Sequence, residues 1–465
     1  MNRALLSLAF LYVLTLSAGL GETPAAGSGG EAGPPNIILL MGDDHGWEET
    51  GYNGHPHVKT PVLDEMAGTG LRLDRFYAAH PSCSPTRGSV LTGRHPNRYG
   101  TFKPGRSIRP EEITLAQVAG KVGYATGNFG KWHLGPVKAE SPTNPGAMGF
   151  DEWFSHDNFF EMNPPLVRNG AVPKVYEGEG SKIIIDDTIR FIGEAVKKEK
   201  PFLAVVWFGS PHEPYSGLEA DLALYDHLPA RYAEKTVALT SNETGGRVKR
   251  PLGDVLRERY AEITAMDRAI GELRTFLDRE GLRRNTLIMY CGDNGTPPSG
   301  VAESPLRGMK GQMFEGGIRV PGVIEWPGRL TEARTSPVSA VTSDLFPTVC
   351  DLIGQPLPHR PMDGISLVDL IDGKMTSRPT PIAFWSFATE GRGTRAYIDP
   401  ELQKGTTPLV KLMKGIPTRN FKNAHHPSIT GEDYHGERTI LGDRYKLLIR
   451  RVGDVQLFDL QKDSA

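Results

Sequence analysis

"NIILLMGDD" (residues 36–44) and "NTLIMYCGDNG" (residues 285–295) are the stretches whose reading decides the fold. In both, apolar residues run on without the polar alternation of a half-exposed strand, as in a strand buried on both faces of a parallel sheet. "PFLAVVWFGSPHEP" (residues 201–214) is a third run of this kind. Helical patterns lie between them. "TPVLDEMAGTG" offers Thr60 as N-cap and Pro61 at the first helical position, the favoured place for proline. "ITLAQVAGKVG" follows, then "RYAEITAMDRAIGELRTFLDREG", with apolar residues at helical spacing. Buried strands alternating with helices predict an α/β fold: a large, mostly parallel central sheet flanked by helices, over residues 36–379. Beyond residue 380 the texture changes. "PIAFWSF", "TRAYI", "RYKLLIRR" and "VQLFDL" are short strand-like runs without intervening helices, predicting a small antiparallel C-terminal subdomain over 380–465.

Composition narrows the class. Of 465 residues, 38% are hydrophobic and 23% charged, and the net charge is −2. That is ordinary globular material with no basic stripe for nucleic acid. Arg3 followed by "ALLSLAFLYVLTL" and small residues reads as a signal peptide over residues 1–21, its apolar run short for a membrane span. Residues 22–35 read as a flexible leader. An exported location without stable membrane insertion follows. Exported chains ordinarily pair their cysteines, but this one has three: Cys83, Cys291 and Cys350. The last two lie in apolar runs and read as buried free thiols. Cys83 sits in "PSCSPTRGSVLTGRHP" (residues 81–96), a turn-rich polar stretch that suits chemistry better than packing.

Two of the buried strands end alike, in Gly42-Asp43-Asp44 and Gly292-Asp293-Asn294. Ligands in open α/β sheets bind past the carboxyl ends of strands, so neighbouring endings would share a crevice. Either ending alone reads as a turn former. Two after matched strands read better as a set of hard oxygen ligands for Ca²⁺, or less well Mg²⁺, and not zinc. His212 in "GSPHEP" ends the third strand. "GYATGNFGKWHLG" adds Lys131 and His133, which would share a face if extended while Trp132 points away. "LRGMKGQMFEGGIRVP" adds Lys310 in a Gly-rich loop. Several cations around a dication call for an anionic substrate.

Cys83-Ser84-Pro85-Thr86-Arg87 followed by "GSVLTGR" resembles the C-x-P-x-R…L-T-G-R signature of the type I sulfatases, within the alkaline phosphatase superfamily. "PNIILLMGDDHGW", "GYATGNFGKWHLG", "PHEP", "GDNG", "LRGMKG", "EGGIRVP", "DLFPTV" and "DGISLVDL" are similar to that family's blocks, in its order. The resemblance implies hydrolysis of sulfate esters and conversion of Cys83 to Cα-formylglycine by a maturation enzyme. Asp43, Asp44, Asp293 and Asn294 resemble its calcium ligands. One hydroxyl of the hydrated aldehyde attacks sulfur. Arg87, Lys131 and Lys310 offset charge, His133 deprotonates the second hydroxyl, and His212 with Lys310 protonates the leaving oxygen. Ser155 or His156, in "GFDEWFSHDN", would contact sulfate. The chain stops at "VQLFDLQKDSA", where the family continues into a terminal helix, so the C-terminal subdomain is either short or cut.

Specificity would lie in loops 45–57, 136–180 and 390–437. Their His45, Trp47, His55, His57, His156, Arg168, Arg392, His425 and His426 suit a polar, anionic, sulfated carbohydrate. N-acetylgalactosamine-6-sulfatase-like and arylsulfatase-like members are the resemblance to follow. Phosphonate or phosphate monoester hydrolysis, or an inactive carbohydrate-binding relative, are the alternatives.

Overall fold

The computed structural model describes residues 33–160, 162–241, 246–387, 395–413, 416–426, 430–450 and 453–462. The signal segment, the leader up to residue 32 and Arg392 lie outside them. The three diagnostic runs form the strands Asn36–Gly42, Phe202–Trp207 and Thr286–Gly292. Asn36–Gly42 is central, parallel to both others, with Gly42 opposite Gly292 and Met41 opposite Trp207. Ala125–Lys131 and Glu152–His156 continue the parallel set on one side. The complete sheet has ten strands. Its flanks turn antiparallel, at Gly322–Glu325 on one side and Pro165–Arg168 on the other. The sheet is therefore mixed, with its five central strands parallel.

Alternation explains why the apolar runs are continuous. Ile37, Leu39 and Met41 join the core on one face with Leu203, Val205, Leu287 and Met289. Ile38 and Leu40 join the core on the other with Ala204, Val206, Ile288 and Tyr290. Each such aliphatic side chain, fully withdrawn from water, contributes roughly 1.5–3 kcal/mol. The helix Pro61–Thr69 begins at the proline as read, but Thr60 does not cap it with its side chain. Its hydroxyl instead accepts from Gly51 N and donates to Asp64. The long helix runs Leu252–Arg279, starting seven residues before the quoted pattern because Leu252, Val255 and Leu256 extend the buried stripe.

The stretch around Cys83 is not a turn. Cys83–Thr92 is an α-helix with every residue buried. Pro85 is tolerated because the first-turn N–H groups have no intrahelical acceptor. The polar side chains turn back on the backbone, Ser89 onto Thr86 O and Thr92 onto Gly88 O.

The C-terminal sheet has four antiparallel strands, Ile382–Trp385, Arg438–Leu441, Tyr445–Ile449 and Val455–Asp459. "TRAYI" is not among them; Ala396 forms a single bridge to Ala424. Ile382, Phe384, Leu441 and Leu448 pack with Tyr77, Met313 and Ile318 in a shared core. Cys83, Cys291 and Cys350 are buried and free. Among the described residues, no helix is long and apolar enough to cross a membrane.

Candidate active site

The carboxyl ends of the central strands meet at one rim. Asp293 N donates to Gly42 O at 3.0 Å and Asp43 N to Ser210 O at 2.9 Å, tying three strand ends together. Glycine precedes each aspartate for a steric reason. A Cβ at Gly292 would lie 2.1 Å from His45 O, and one at Gly42 would lie 2.5 Å from the Tyr290 hydroxyl. Asp44 then adopts a left-handed backbone (φ 63°). Its N–H donates to Asp293 Oδ1 at 2.9 Å, and Asn294 Nδ2 donates to Asp44 Oδ1 at 2.8 Å.

Cations surround these carboxylates. Arg87 reaches Asp293 Oδ2 through Nη2 (2.7 Å) and Nε (3.1 Å), donates to Lys131 O, and lies over the Trp207 ring. Lys131 Nζ is 2.5 Å from Asp43 Oδ2 and Lys310 Nζ is 2.5 Å from Asp44 Oδ1. His212 places Nε2 3.6 Å from Asp44 Oδ2, its ring stacked on Phe159 at 4.3 Å. The Cys83 sulfur, at the first position of its helix, lies 3.7 Å from Asp44 Oδ1. Ligand atoms of Asp43, Asp44, Cys83 and His212 all lie within 4.8 Å of one another.

Lys131 closes its strand, but His133 is not on that strand. It sits beyond the strand end in a left-handed conformation (φ 57°), its N–H donating to Asp157 O. Trp132 packs inward against Trp207. Both His133 ring nitrogens are buried without a hydrogen-bond partner among the described residues. Ser155 and His156 are committed elsewhere. The Ser155 hydroxyl donates to Asn128 Oδ1 at 2.8 Å, and His156 Nε2 meets Pro408 O at 3.2 Å. Among the proposed specificity residues, His45 bonds Tyr290 and Glu49, Arg168 pairs with Glu152 and Asp187, and His426 packs on Phe102.

Burial pushes the Asp43 carboxyl up to about 7, against the pull of Lys131. For Asp44, burial is outweighed by Lys310 and His212, which hold it well below the usual carboxylate range. Burial and then Lys131, Arg419 and Arg87 hold His133 far below an ordinary imidazole, which favours its neutral form. Burial and then Asp293 raise the Cys83 thiol well above its ordinary value.

The donor set fits a hard dication. Asp43 Oδ1 and Asn294 Oδ1 are buried with no hydrogen-bond partner, and oxygen atoms of this kind are the ligands Ca²⁺ takes. Three features escaped the sequence reading. Arg259 donates to Asp44 O at 2.6 Å while paired with Glu49, fixing the Asp44 backbone. Asn158, beside Phe159, is buried with neither amide atom partnered. Arg419, from the C-terminal region, acts on both His133 and Cys83. The "HDNFF" run following a strand was the only local signal for Asn158; Arg419 had none.

A strand-end crevice in which lysines, an arginine and histidines ring a carboxylate cluster is suited to an anionic ester, and it fits the hydrolases of the alkaline phosphatase superfamily. Comparison with known proteins agrees. The sulfatase family model matches residues 35–355. Canine N-acetylgalactosamine-6-sulfatase is 31% identical over 408 residues, covering 79% of this chain and 71% of its own. Human arylsulfatase A is 31% identical over 423 residues, covering 83% and 75%. The crystal structure of Ps i-CgsB in complex with k-i-k-neocarrahexaose shares the fold, with a TM-score of 0.72 at 21% identity over 93% of this chain and 88% of that one. The chain belongs to the sulfatase family and is a sulfuric ester hydrolase.

Proposed function

We propose that this sulfatase removes sulfate from a sulfated carbohydrate in an exported setting. Cys83 is converted to Cα-formylglycine by a separate maturation enzyme, and Ca²⁺ is held by Asp43, Asp44, Asp293 and Asn294. The Cys83 sulfur carries the reading. It lies among the carboxylates and cations, yet burial keeps its proton on. A protonated thiol is a poor nucleophile, so the position makes chemical sense as a precursor. The name of a relative at 31% identity supports the substrate class: an N-acetylgalactosamine-6-sulfatase.

A hydrated aldehyde at position 83 would supply a hydroxyl nucleophile, and a dication held by the four oxygen ligands would supply Lewis-acid polarisation of sulfate. The chain's own groups do the rest. Arg87, rigid between Asp293 and Lys131 O, holds the side chain at position 83. Lys131 and Lys310 carry their charge into the crevice to meet the sulfate. His212 Nε2 donates a proton to the leaving oxygen, with Lys310 beside the same carboxylate. His133, neutral and with unpartnered nitrogens, accepts the proton from the hydroxyl at position 83 that expels sulfate.

The test is the mass of the tryptic peptide containing residue 83, from protein made with a maturation enzyme, together with elemental analysis. An aldehyde and one calcium per chain are expected, and Cys83→Ala should abolish turnover while leaving the melting temperature close to the parent's. Full activity with only thiol at position 83, or after removal of all metal, overturns the reading. Comparing kcat/KM on sulfate and phosphate esters separates sulfatase from phosphomonoesterase.

A further inference from the structure

We propose that Arg419 forms the wall of a second anion subsite beside residue 83, taking a further negative group of the sugar substrate (a carboxylate or a second sulfate). The proposal rests on the sulfatase reading above and names a feature of its substrate.

Arg419 is held in place by its own neighbours. Phe421 N donates to Gln403 O at 2.8 Å, Lys422 N to Gly105 O at 3.0 Å, and Ser107 N to Lys422 O at 2.9 Å. Phe421 is buried and meets the His133 ring edge-on at 6.2 Å. The guanidinium lies over Gly105, where the backbone is left-handed (φ +84°) and a Cβ would come within 3.0 Å of Nη2. Glycine there satisfies the turn and clears the space the guanidinium occupies.

Among the described residues, no carboxylate answers this charge. The arginines buried in the core each meet one: Arg87 with Asp293, Arg259 with Glu49, Arg274 with Glu325 and Arg378 with Asp344. Arg419 forms no ion pair or side-chain hydrogen bond among the described residues, and burial holds it below the usual arginine range. Arg419 is half-buried, and a cation partly withdrawn from water without a counter-charge gains from a ligand that completes it. The charge balance of the crevice points the same way. Four permanent cations (Arg87, Lys131, Lys310 and Arg419) face three carboxylates (Asp43, Asp44 and Asp293). One sulfate ester brings a single negative charge, and a bound dication widens the positive excess. A guanidinium is suited to either second anion, since its fork of donors matches carboxylate and sulfate oxygens.

Calorimetric binding to the Cys83→Ala protein, loaded with calcium, tests this without turnover. Three probes are used: N-acetylgalactosamine 6-sulfate, N-acetylgalactosamine 4,6-disulfate, and the disaccharide of chondroitin 6-sulfate, which adds a uronate. At least one dianionic probe should bind about tenfold tighter than the monoanionic one, and which one does identifies the second anion. Arg419→Met should erase that preference and Arg419→Lys should retain part of it. Thermal melting of each variant checks folding, and Arg419→Gln carries the comparison if the methionine variant does not fold. Equal loss for all three probes, or no dianionic preference in the starting protein, overturns the subsite. Failure of the sulfatase reading shows separately, as absent turnover of 4-nitrophenyl sulfate by matured unsubstituted enzyme.

Discussion

The rim built by the large sheet and the seam where the C-terminal region closes over it are held by different forces. At the rim, buried charges answer one another: Arg87 with Asp293, Lys131 with Asp43, Lys310 with Asp44, Arg259 with Glu49. At the seam, one carboxylate gathers backbone groups. Asp157 accepts from Val137 N at 2.7 Å, Thr406 N at 2.5 Å and Thr407 N at 2.8 Å, and its own N–H donates to Thr407 Oγ1. Buried ion pairs fix one geometry and lose much when one partner goes. Backbone bonds to a loop constrain its side chains less, and here only the Thr407 hydroxyl takes part. The rim is thus held by pairs of charged side chains, while the seam is held mostly through the backbone of the 405–407 loop.

The sharpest way to break the rim is Asp293→Ala. It removes a proposed calcium ligand and leaves the buried Arg87 with only the longer contact to Asp43 Oδ1 at 3.6 Å. Stability should fall by about 3–5 kcal/mol, and turnover of an aryl sulfate by about 10³-fold. Asp293→Asn keeps the volume and should recover part of the stability but little activity. Denaturant melts and steady-state rates read both. An alanine variant with parental stability would show that the Arg87 pair is not what organises the rim.

His212→Ala comes next, because its cost depends on the leaving group. A sugar hydroxyl needs a proton and a nitrophenolate does not. The loss should be about 10²–10⁴-fold on a sugar sulfate and far smaller on a nitroaryl sulfate. On the proposed mechanism His133 acts after the alcohol has left, so His133→Ala should slow both substrates to a similar final rate and accumulate sulfated enzyme. Lys310 contacts the same Asp44 carboxylate and can donate in place of His212, so the double variant belongs in the comparison. Equal losses of the double variant on both substrates would show that the acid is elsewhere.

This contrast also explains what the sequence made legible. Rim residues follow hydrophobic runs, so Asp43, Asp44, Asp293 and Asn294 would share one crevice if their strands were neighbours, and Gly42 does lie opposite Gly292. His212 and Lys131 followed for the same reason. The local conformation of the Cys83 stretch was misread, because its polar, Pro- and Gly-rich composition hides a helix made possible by burial and back-bonded hydroxyls. His133 reaches the site by a left-handed turn, not by strand alternation. At the seam the signal disappears. Arg419 acts on Cys83 from 336 residues away along the chain, and its neighbours at 103–107 and 403–407 carry no periodicity that joins them. Contacts of that kind are set by tertiary packing, on which local propensity is silent.

Asp157→Ala tests the seam directly. Losing a buried acceptor shared by three N–H groups should cost about 2–3 kcal/mol of stability and release the 405–407 loop. On a sugar sulfate KM should rise roughly tenfold, the equivalent of 1.4 kcal/mol, with kcat changed less. On a small aryl sulfate, which does not reach the seam, KM should stay within about twofold on the same reasoning. A fall in kcat on both substrates alike would place Asp157 with the rim and dissolve the distinction between the two regions.

The smallest effect on turnover, and the finest test of what pairing contributes, comes from two adjacent rim carboxyls. Glu49 is paired with Arg259 at 2.5 Å. Glu48, equally buried, leaves Oε2 without a hydrogen-bond partner, and burial together with Glu49 pushes its carboxyl from 4.5 to about 7. A carboxyl raised in the folded state stays protonated there while the unfolded chain ionises. Its stabilising contribution is therefore complete below about pH 4.5 and is lost as pH rises toward 7. A gap of about 2.5 units corresponds to roughly 3 kcal/mol. Glu48→Gln, which keeps the shape and cannot ionise, should flatten the fall in stability between pH 5 and 8 by about that amount while leaving aryl sulfate turnover at pH 6 nearly unchanged. Glu49→Gln should do the reverse, destabilising at every pH above the glutamate range because it strands Arg259. If the two variants give parallel stability–pH curves, the difference between a paired and an unpaired carboxyl is not what shapes this rim.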